Sequence, residues 1–457
     1  MTDPSPPGGP EPDGEPTFEE LDPDGQLASL LDAPDRDRCP GARPVVSVDE
    51  DDDPAYVAEI NARCVAAPRL VRRGVFHGNW AELHDAFAFV PRDPLAVLRD
   101  RFDAAQPIVL HDALADEVFD VLVTDRELER LARAGGLREL LTDRRHQLAP
   151  AFQVLDEELP GVDERDIERI AVEWSGAGGA TVSDLWLKSQ RLSASDDDAS
   201  LRLRVSFGRE IEDDASRDEH RHRLVAELSE RVLPEVGALV RDGELRGLIG
   251  EWIRGRPLFT QSIGYWNAPN GGALFHHDAF DEPARGRQRG VLFAQLTGST
   301  GWLALSIGDL ATRVLEFAEL LAEGDLPWVR EALADEEGSF DALLTLARDR
   351  DACIRELGQP GCGALGRLVN FGPEFTSLLA DAGHGFVLSP GDVAVLPNHG
   401  LAKTCMHSVF CTGEETGFGV SLAIREVARA RPASSRRGSS RRRARGRRPG
   451  SSRRRRS

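Results

Sequence analysis

The sequence predicts an α+β protein whose β-sheet core is interrupted once by helices, and three observations support this fold class. From Thr181 onward, segments such as SLRLRVSF alternate apolar and polar residues, which is the period of a half-buried strand. Residues 54–180 instead space most of their apolar residues three and four apart, as helices do. Residues 309–381 return to the helical period before strands resume, so we interpret them as a helical insert in one β domain.

The N-terminal segment, residues 1–53, is rich in Pro, Gly, Asp and Glu and ends in an acidic run. Low hydrophobicity and high charge predict that it is disordered. Its first residues contain neither the basic region nor the apolar region of a secretory signal, and the sequence contains no run of 18 apolar residues. We therefore expect a cytoplasmic protein without a membrane span.

Residues 54–180 are expected to form a mainly helical flank packed on the sheet domain. The segments with helical spacing are AYVAEINARCVAA, DPLAVLRDRF, DRELERLARAGGLRELL and ERDIERIAVEW. Thr124 or Asp125, and later Asp163, occupy positions suited to helix N-caps. Between these helices, PIVLHDAL has three successive apolar β-formers and predicts a short strand.

The β core is predicted to cover residues 181–426. QSIGYWNAPNGGALFHHDAF has the pattern of strand, turn and strand, and VLFAQL and WLALSI predict two more strands. After the insert, strands resume at FVLSPGDVAVLP, HSVFC and GFGVSLAIR. We expect the insert to cover the mouth of the core or to form a homodimer surface, and its deletion to leave the β core folded.

Charge is divided unevenly along the chain. Residues 427–457 contain 14 Arg and no acidic residue, so the remaining body has 42 Lys and Arg against 77 Asp and Glu, a net charge of −35. Such a body repels nucleic acid, whereas a disordered Arg/Ser-rich tail can contact it weakly and without sequence specificity. None of the six cysteines forms a C-x-x-C pair, which does not favour a zinc finger, and we expect free thiols.

The segment ALFHHDAF contains the chemistry that points most directly to a function. Residues two apart on a strand share a face, so His276 and Asp278 are expected to project together and His277 away from them. An imidazole and a carboxylate are two-thirds of the 2-His-1-carboxylate triad that holds non-haem Fe(II). The third ligand is then a histidine from a distant strand.

Three histidines lie in the resumed sheet, and they differ in local context. His384 lies between two glycines and is interpreted as a turn residue. His407 opens the strand HSVFC, whereas His399 lies in the loop Pro397–Gly400. A strand holds a ligand more rigidly than a loop, so His407 is favoured as the third metal ligand and His399 is the alternative.

Four separate elements, in order, resemble the cupin-like JmjC and ribosomal-oxygenase superfamily of Fe(II)/2-oxoglutarate hydroxylases. They are the His-x-Asp motif at residues 276–278, Gln295 to Trp302 in place of a Gln-Leu-x-Gly-x-Lys-x-Trp strand, the Pro390-Gly391-Asp392 turn with Pro397 and His407, and a last strand ending at Arg425. The resemblance spans about residues 261–425 without the insert. It implies a double-stranded β-helix (cupin or jelly-roll) core.

The same resemblance implies a dioxygenase that uses Fe(II), O2 and 2-oxoglutarate as co-substrate. His276, Asp278 and His407 would then be the catalytic metal ligands, and the substrate would be a protein or peptide side chain. In the strand motif, Gln295 matches the family and would belong to the co-substrate site. Thr300 stands where the family has a Lys, and a neutral hydroxyl cannot form a salt bridge with 2-oxoglutarate.

A cation for the co-substrate must therefore come from elsewhere. Arg425 shares a strand face with Ser421 and Ala423 and could bind a carboxylate through two hydrogen bonds, with Lys403 as the other candidate. The departure at Thr300 also keeps a second hypothesis open, a non-oxidative cupin-like domain that binds a metal or ligand only. A third hypothesis is a scaffold tethered to nucleic acid by its tail. Release of succinate would separate the first hypothesis from the other two.

Overall fold

The structure, a computed structural model, describes a large part of the chain. The described residues are 88–89, 95–133, 137, 152–158, 166–175, 179, 181–192, 199–208, 219–269, 271–279, 288–323, 339–371, 373–411 and 415–426. All of them belong to the compact unit Met1–Val427. The predicted acidic segment 1–53, the tail 427–457 and the helix predicted at AYVAEINARCVAA lie outside the described residues.

Fourteen strands are described. They are β1 (Ala88–Phe89), β2 (Ile108–Leu110), β3 (Phe152–Glu158), β4 (Asp166–Ser175), β5 (Thr181–Arg191), β6 (Leu201–Phe207), β7 (Pro257–Asn267), β8 (Gly272–His276), β9 (Gln288–Thr297), β10 (Thr300–Ser306), β11 (Gly385–Leu388), β12 (Val393–Pro397), β13 (Cys405–Cys411) and β14 (Gly417–Glu426). One sheet has ten strands in the order β1-β2-β12-β9-β14-β7-β6-β5-β4-β3, and the other has four in the order β11-β10-β13-β8. The protein is therefore α+β, with sheets that are antiparallel except for the β1–β2 pair.

The α-helices of the described residues are α1 (Leu95–Asp103), α2 (Asp116–Phe119), α3 (Thr124–Arg133), α4 (Glu219–Val232), α5 (Pro234–Arg241), α6 (Gly243–Ile253), α7 (Ile307–Glu323), α8 (Ser339–Leu346), α9 (Arg350–Leu357), α10 (Gly366–Phe371) and α11 (Pro373–Leu379). A 3₁₀ segment follows α9 at Pro360–Leu365, and a π turn follows α11 at Ala380–His384. In these parts of the chain, every helix is too short or too polar to cross a bilayer.

Three apolar clusters arrange these elements in layers. Between the two sheets lies a cluster that includes Phe293, Trp302 and Leu396. A larger cluster packs the helices of the N-terminal half on the outer face of the ten-stranded sheet. The helices of the insert pack on the outer face of the four-stranded sheet, where Leu303 and Leu305 of β10 join their cluster. Alternation along β10 therefore sends successive side chains into different layers, as strand geometry requires.

One part of the helical flank is not helical. The prediction of a helix at ERDIERIAVEW is wrong, because residues 166–174 of this segment belong to β4, and β3 also lies within residues 54–180. A β-bulge between Asp166 and Glu168 inserts an extra residue in the ladder with β5. The extra residue leaves Ile167 and Ile170 three apart, which imitates a helical period, while the buried Ile170, Val172 and Trp174 keep the strand period of two.

His384 makes folding stability depend on pH. Burial, reinforced by the charge of Arg313, lowers the pKa of His384 to about 4 from an ordinary value of 6.5. The unfolded chain therefore binds a proton on this ring between about pH 6.5 and pH 4 that the folded chain does not bind. Stability should fall as the pH decreases through this window, by about 1.4 kcal/mol for each unit of pKa difference.

Denaturant titrations of the wild type and His384→Gln at several pH values test this effect. The variant should show a shallower loss of unfolding free energy between pH 6.5 and pH 4, because it has no ring to protonate at this position. His220→Gln is the matched control, since His220 is exposed. Parallel stability curves for the wild type and His384→Gln would show that His384 does not contribute.

Candidate metal centre

The side chains of His276, Asp278 and His407 converge at one point between the sheets. One ligand atom from each of them lies within 4.8 Å of the other two. His276 and His407 are direct partners across the β8–β13 ladder, and their ring centroids are 4.2 Å apart. Asp278 follows the end of β8, and its Oδ2 lies 3.7 Å from His407 Nε2.

A glycine allows the two histidine strands to approach. A Cβ atom at Gly272 would collide with the backbone carbonyl of Val409, so only glycine permits this contact between β8 and β13. The ladder between the strands also shifts register between His407 and Val409. The bulge and the glycine together place the end of β8, which carries His276, beside His407.

Both imidazoles are held in a form that can donate a lone pair to a metal. His276 Nδ1 lies 2.6 Å from the carbonyl oxygen of Leu274, which only accepts, so the proton of the neutral ring is on Nδ1 and the lone pair on Nε2. Burial, and then the neighbouring His276, lowers the pKa of His407 to about 3. His407 is therefore neutral at physiological pH, and a neutral imidazole is the form that ligates a metal.

The backbone next to the carboxylate is held by two amide side chains. Gln288 Nε2 and Asn398 Nδ2 both donate to the carbonyl oxygen of Asp278, at 3.1 and 2.8 Å. Asn398 is buried and its Oδ1 also accepts from the backbone of Gly400. Asp278 lies beyond the regular strand, so these contacts supply the rigidity that strand pairing does not.

The other two histidines considered for this site are engaged elsewhere. His277 Nε2 donates to the carbonyl oxygen of Gly358 at the end of α9, and its Nδ1 accepts from the backbone of Ala279. His399 Nε2 lies 2.8 Å from the carbonyl oxygen of Phe102, at the end of α1, and its ring packs edge-on against the Phe102 ring. The structure therefore groups His407, and not His399, with His276 and Asp278.

Thr300 and Gln295 form a hydrogen-bonded chain that holds an aromatic wall of the site. Thr300 Oγ1 donates to Gln295 Oε1 at 2.6 Å and accepts from Trp302 Nε1 at 2.9 Å. Trp302 stacks on His407 with ring centroids 5.8 Å apart. The hydroxyl at position 300 thus positions the indole ring beside the histidine.

The two cations predicted for the co-substrate lie apart from the triad. Arg425 is 1% exposed, and its Nε donates to Thr260 Oγ1 at 2.8 Å. Lys403 is exposed in the loop between β12 and β13. Neither residue lines either of the two cavities that the triad borders within the described residues.

Those two cavities differ in chemical character. A small one of about 40 Å³ is mostly apolar and lies between the sheets, with Phe293 and Trp302 in its wall. A larger one of about 320 Å³ has Arg202 and Arg204 of β6 in its wall. They share five lining residues, namely Tyr265, His276, Asp278, Val291 and Ser421. The triad thus lies between a mostly apolar cavity and a more polar one.

The sequence analysis missed several residues that the structure places at the site. Gln288 and Asn398 act through the backbone of Asp278, and no local pattern signals contacts between residues 10 and 120 positions apart in sequence. Arg202 and Arg204 did carry a signal, because SLRLRVSF repeats Arg at the strand period. The alternation predicted a half-buried strand, but Arg204 on its polar face is only 6% exposed.

No family model and no curated protein matches the sequence. Solved structures similar to this chain include an oxidoreductase of the 2OG-Fe(II) oxygenase family from Burkholderia pseudomallei (9% identity, 74% of this chain and 94% of that chain covered, TM-score 0.24). AviO1 from Streptomyces viridochromogenes Tue57 is similar at 13% identity (74% and 97% covered, TM-score 0.29). The Escherichia coli ribosomal oxygenase YcfD is similar at 14% identity (70% and 48% covered, TM-score 0.21). TM-scores of this size assign no activity, so functional reasoning rests on the site.

Proposed function

We propose that the protein is an Fe(II)- and 2-oxoglutarate-dependent dioxygenase that hydroxylates a protein or peptide side chain. The observation that supports this most is the convergence of two imidazoles and one carboxylate within 4.8 Å. This donor set is the facial triad of non-haem Fe(II) oxygenases, which leaves open coordination positions. His276 and His407 would hold the metal through Nε2, and Asp278 through a carboxylate oxygen.

The strand order supports a double-stranded β-helix core. From β7 to β10, consecutive strands alternate between the two sheets, and β12, β13 and β14 alternate again. β7, β14, β9 and β12 are neighbours in one sheet, and β8, β13, β10 and β11 in the other. In a core of two facing four-stranded sheets built in this way, the triad would lie between the sheets, where folds of this kind enclose ligand cavities.

The protein's part in the reaction would be to hold the metal ligands in position and to exclude water from the site. When bound, Fe(II) would supply activation of O2, coupled to conversion of 2-oxoglutarate to succinate and CO2, with one oxygen atom inserted into a substrate C–H bond. Trp302, Phe293 and Val291 give the small cavity apolar walls, which keep water from the reacting groups. Gln288 and Asn398 hold the backbone that carries Asp278.

Succinate formation tests the proposed class. The full chain, loaded with Fe(II) and incubated with 2-oxoglutarate and acceptor peptides in air, should release succinate. Asp278→Ala is the inactive reference. A protein that binds Fe(II) but forms no succinate, with any acceptor peptide offered, would instead be the non-oxidative metal-binding cupin. The small cavity has no Lys or Arg among its described lining residues, and this observation favours the second candidate.

Asn398→Ala should weaken Fe(II) binding roughly tenfold, the lower end of the 10–100-fold that residues supporting a ligand contribute. The change removes one of the two donors to the Asp278 carbonyl and leaves all three ligands in place. Calorimetric titration with Fe(II) under anaerobic conditions measures the effect. Gln359→Ala is the matched control, because its amide is exposed and donates to the Arg355 carbonyl, away from Asp278. Equal affinities for Asn398→Ala and the wild type would exclude a positioning role.

The role of Arg425 in binding 2-oxoglutarate stays a prediction. If Arg425 meets the distal carboxylate, Arg425→Ala should raise the concentration of 2-oxoglutarate needed for half-saturation by about tenfold to a hundredfold, because a charge-assisted pair is lost. Fe(II) binding should be nearly unchanged. Arg425 is buried and donates to Thr260, so its replacement should also lower the stability of the fold, which thermal unfolding measures separately. An unchanged 2-oxoglutarate titration would remove Arg425 from the site.

A further inference from the structure

We propose that the larger cavity beside the triad binds an anionic group, a carboxylate or a phosphate, through Arg202 and Arg204 of β6. The inference rests on the proposed function and deepens it, because a ligand held there would extend from the metal site to these two cations. The group would belong either to the substrate or to 2-oxoglutarate. In either case the bound group is an oxyanion, planar in a carboxylate and tetrahedral in a phosphate.

Strand register places both arginines on the face of the sheet that looks into this cavity. Arg204 is paired with Ile263 of β7, and Ile263 with Ser421 of β14. Arg202 is paired in the same way with Tyr265. Residues directly opposite one another in antiparallel strands share a face, and Ile263, Tyr265 and Ser421 all line the cavity. The arginine side chains therefore complete a wall that begins at the metal site.

Positive charge continues along the same row of the sheet. Arg169 of β4 is opposite Lys188 of β5, which is opposite Arg204. All three are buried, at 5%, 1% and 6% exposure. The row therefore brings three cationic side chains onto one face of the sheet, with Arg204 in the wall of the cavity. Asp278 is the sole carboxylate among the described lining residues of this cavity, and it belongs to the triad.

The arginines are oriented for recognition of an oxyanion. Arg202 Nε donates to Gln190 Oε1 at 2.9 Å, and Gln190 is its direct partner across the β5–β6 ladder. A guanidinium presents a planar fork of donors that matches carboxylate and phosphate oxygens, which is why arginine serves for such groups. The cavity volume of about 320 Å³ lies at the lower end of the roughly 300–1,000 Å³ of small-ligand sites.

Calorimetric titrations of the full chain test the proposal without any measurement of activity. The variants are Arg204→Gln and Arg202→Gln, with Arg254→Gln as the control, because Arg254 is an exposed arginine paired with Asp103. The probes are inorganic phosphate, 2-oxoglutarate, and 2-oxopentanoate, which lacks the distal carboxylate. Loss of either arginine should weaken binding of an anionic probe by about tenfold to a hundredfold, and the control should bind like the wild type.

Two outcomes support the proposal and identify the source of the anion. Weaker phosphate binding in the presence of saturating 2-oxoglutarate assigns the arginines to the substrate. Weaker binding of 2-oxoglutarate, with 2-oxopentanoate unaffected, assigns them to the co-substrate. Wild-type affinity for every probe in both folded variants would overturn the proposal. Thermal unfolding checks folding, and Arg202→Gln keeps the test valid if Arg204→Gln does not fold, because Arg202 is less buried.

Failure of this inference is distinguishable from failure of the proposed function. Phosphate is also titrated into the metal-free chain, so the anion site is read out even if Fe(II) does not bind. A wild-type chain that binds no Fe(II) refutes the dioxygenase and leaves the phosphate result standing. A chain that binds Fe(II) at the triad, with arginine variants unchanged toward all probes, refutes the anion site alone.

Discussion

His407→Ala is expected to abolish Fe(II) binding by the full chain. The substitution removes one of three metal ligands. Fe(II) affinity should therefore fall by more than the roughly 10–100-fold that is lost when a residue that only supports a ligand is changed. Neither His277 nor His399 is expected to take the place of His407, because both are hydrogen-bonded to backbone carbonyls elsewhere. Anaerobic calorimetry with Fe(II) measures the change.

His399→Ala is the matched control for that experiment. It removes the same side chain from the position that sequence reasoning kept as the alternative ligand, and it should leave metal affinity at the wild-type value. Its expected cost is in stability, since the ring packs on Phe102 and bonds to the end of α1. Metal binding that survives His407→Ala but is lost in His399→Ala would contradict the assignment of the triad.

Deletion of residues 309–381 should prevent the β core from folding in soluble form. The insert shares an apolar cluster with the four-stranded sheet, and its removal would expose Phe275, Leu303, Leu305 and Met406. At roughly 1.5–3 kcal/mol for each fully buried side chain, the loss approaches the roughly 5–15 kcal/mol that stabilises a typical domain. The shared core therefore changes the expectation, drawn from sequence, that the insert is dispensable.

A second shortened chain separates loss of burial from other causes. β10 and β11 are antiparallel neighbours, with Leu303 opposite Gly385, so a short Gly-Ser linker closes the gap. Replacing Leu303, Leu305 and Met406 by Thr in the shortened chain should restore solubility, whereas the same replacements should destabilise the full chain. Circular dichroism and size-exclusion chromatography report both results. A soluble shortened chain that unfolds cooperatively without these replacements would show that the insert is not needed.

Local sequence patterns were sufficient for most of the secondary structure. Alternation put Ser421, Ala423 and Arg425 on one face of β14, and among the described lining residues of the larger cavity are Ser421 and Ala423 but not Arg425. It failed at β4, where a bulge breaks the period of two, because bulges depend on the partner strand and not on local composition.

The sequence by itself determined the α+β class, the helices within residues 309–381 and the grouping of His276 with Asp278. Each of these depends on the spacing of residues that are close together in the chain. Only the tertiary structure decided between His407 and His399, because the choice depends on which strand pairs with β8. The tertiary structure also decided that Thr300 Oγ1 accepts a hydrogen bond from Trp302 Nε1, and that Arg202 and Arg204 of β6 line the cavity beside the metal site. The pairing of β8 with β13 and the approach of β6 to the site join segments far apart in the chain, and a local pattern contains no information about which strands become neighbours.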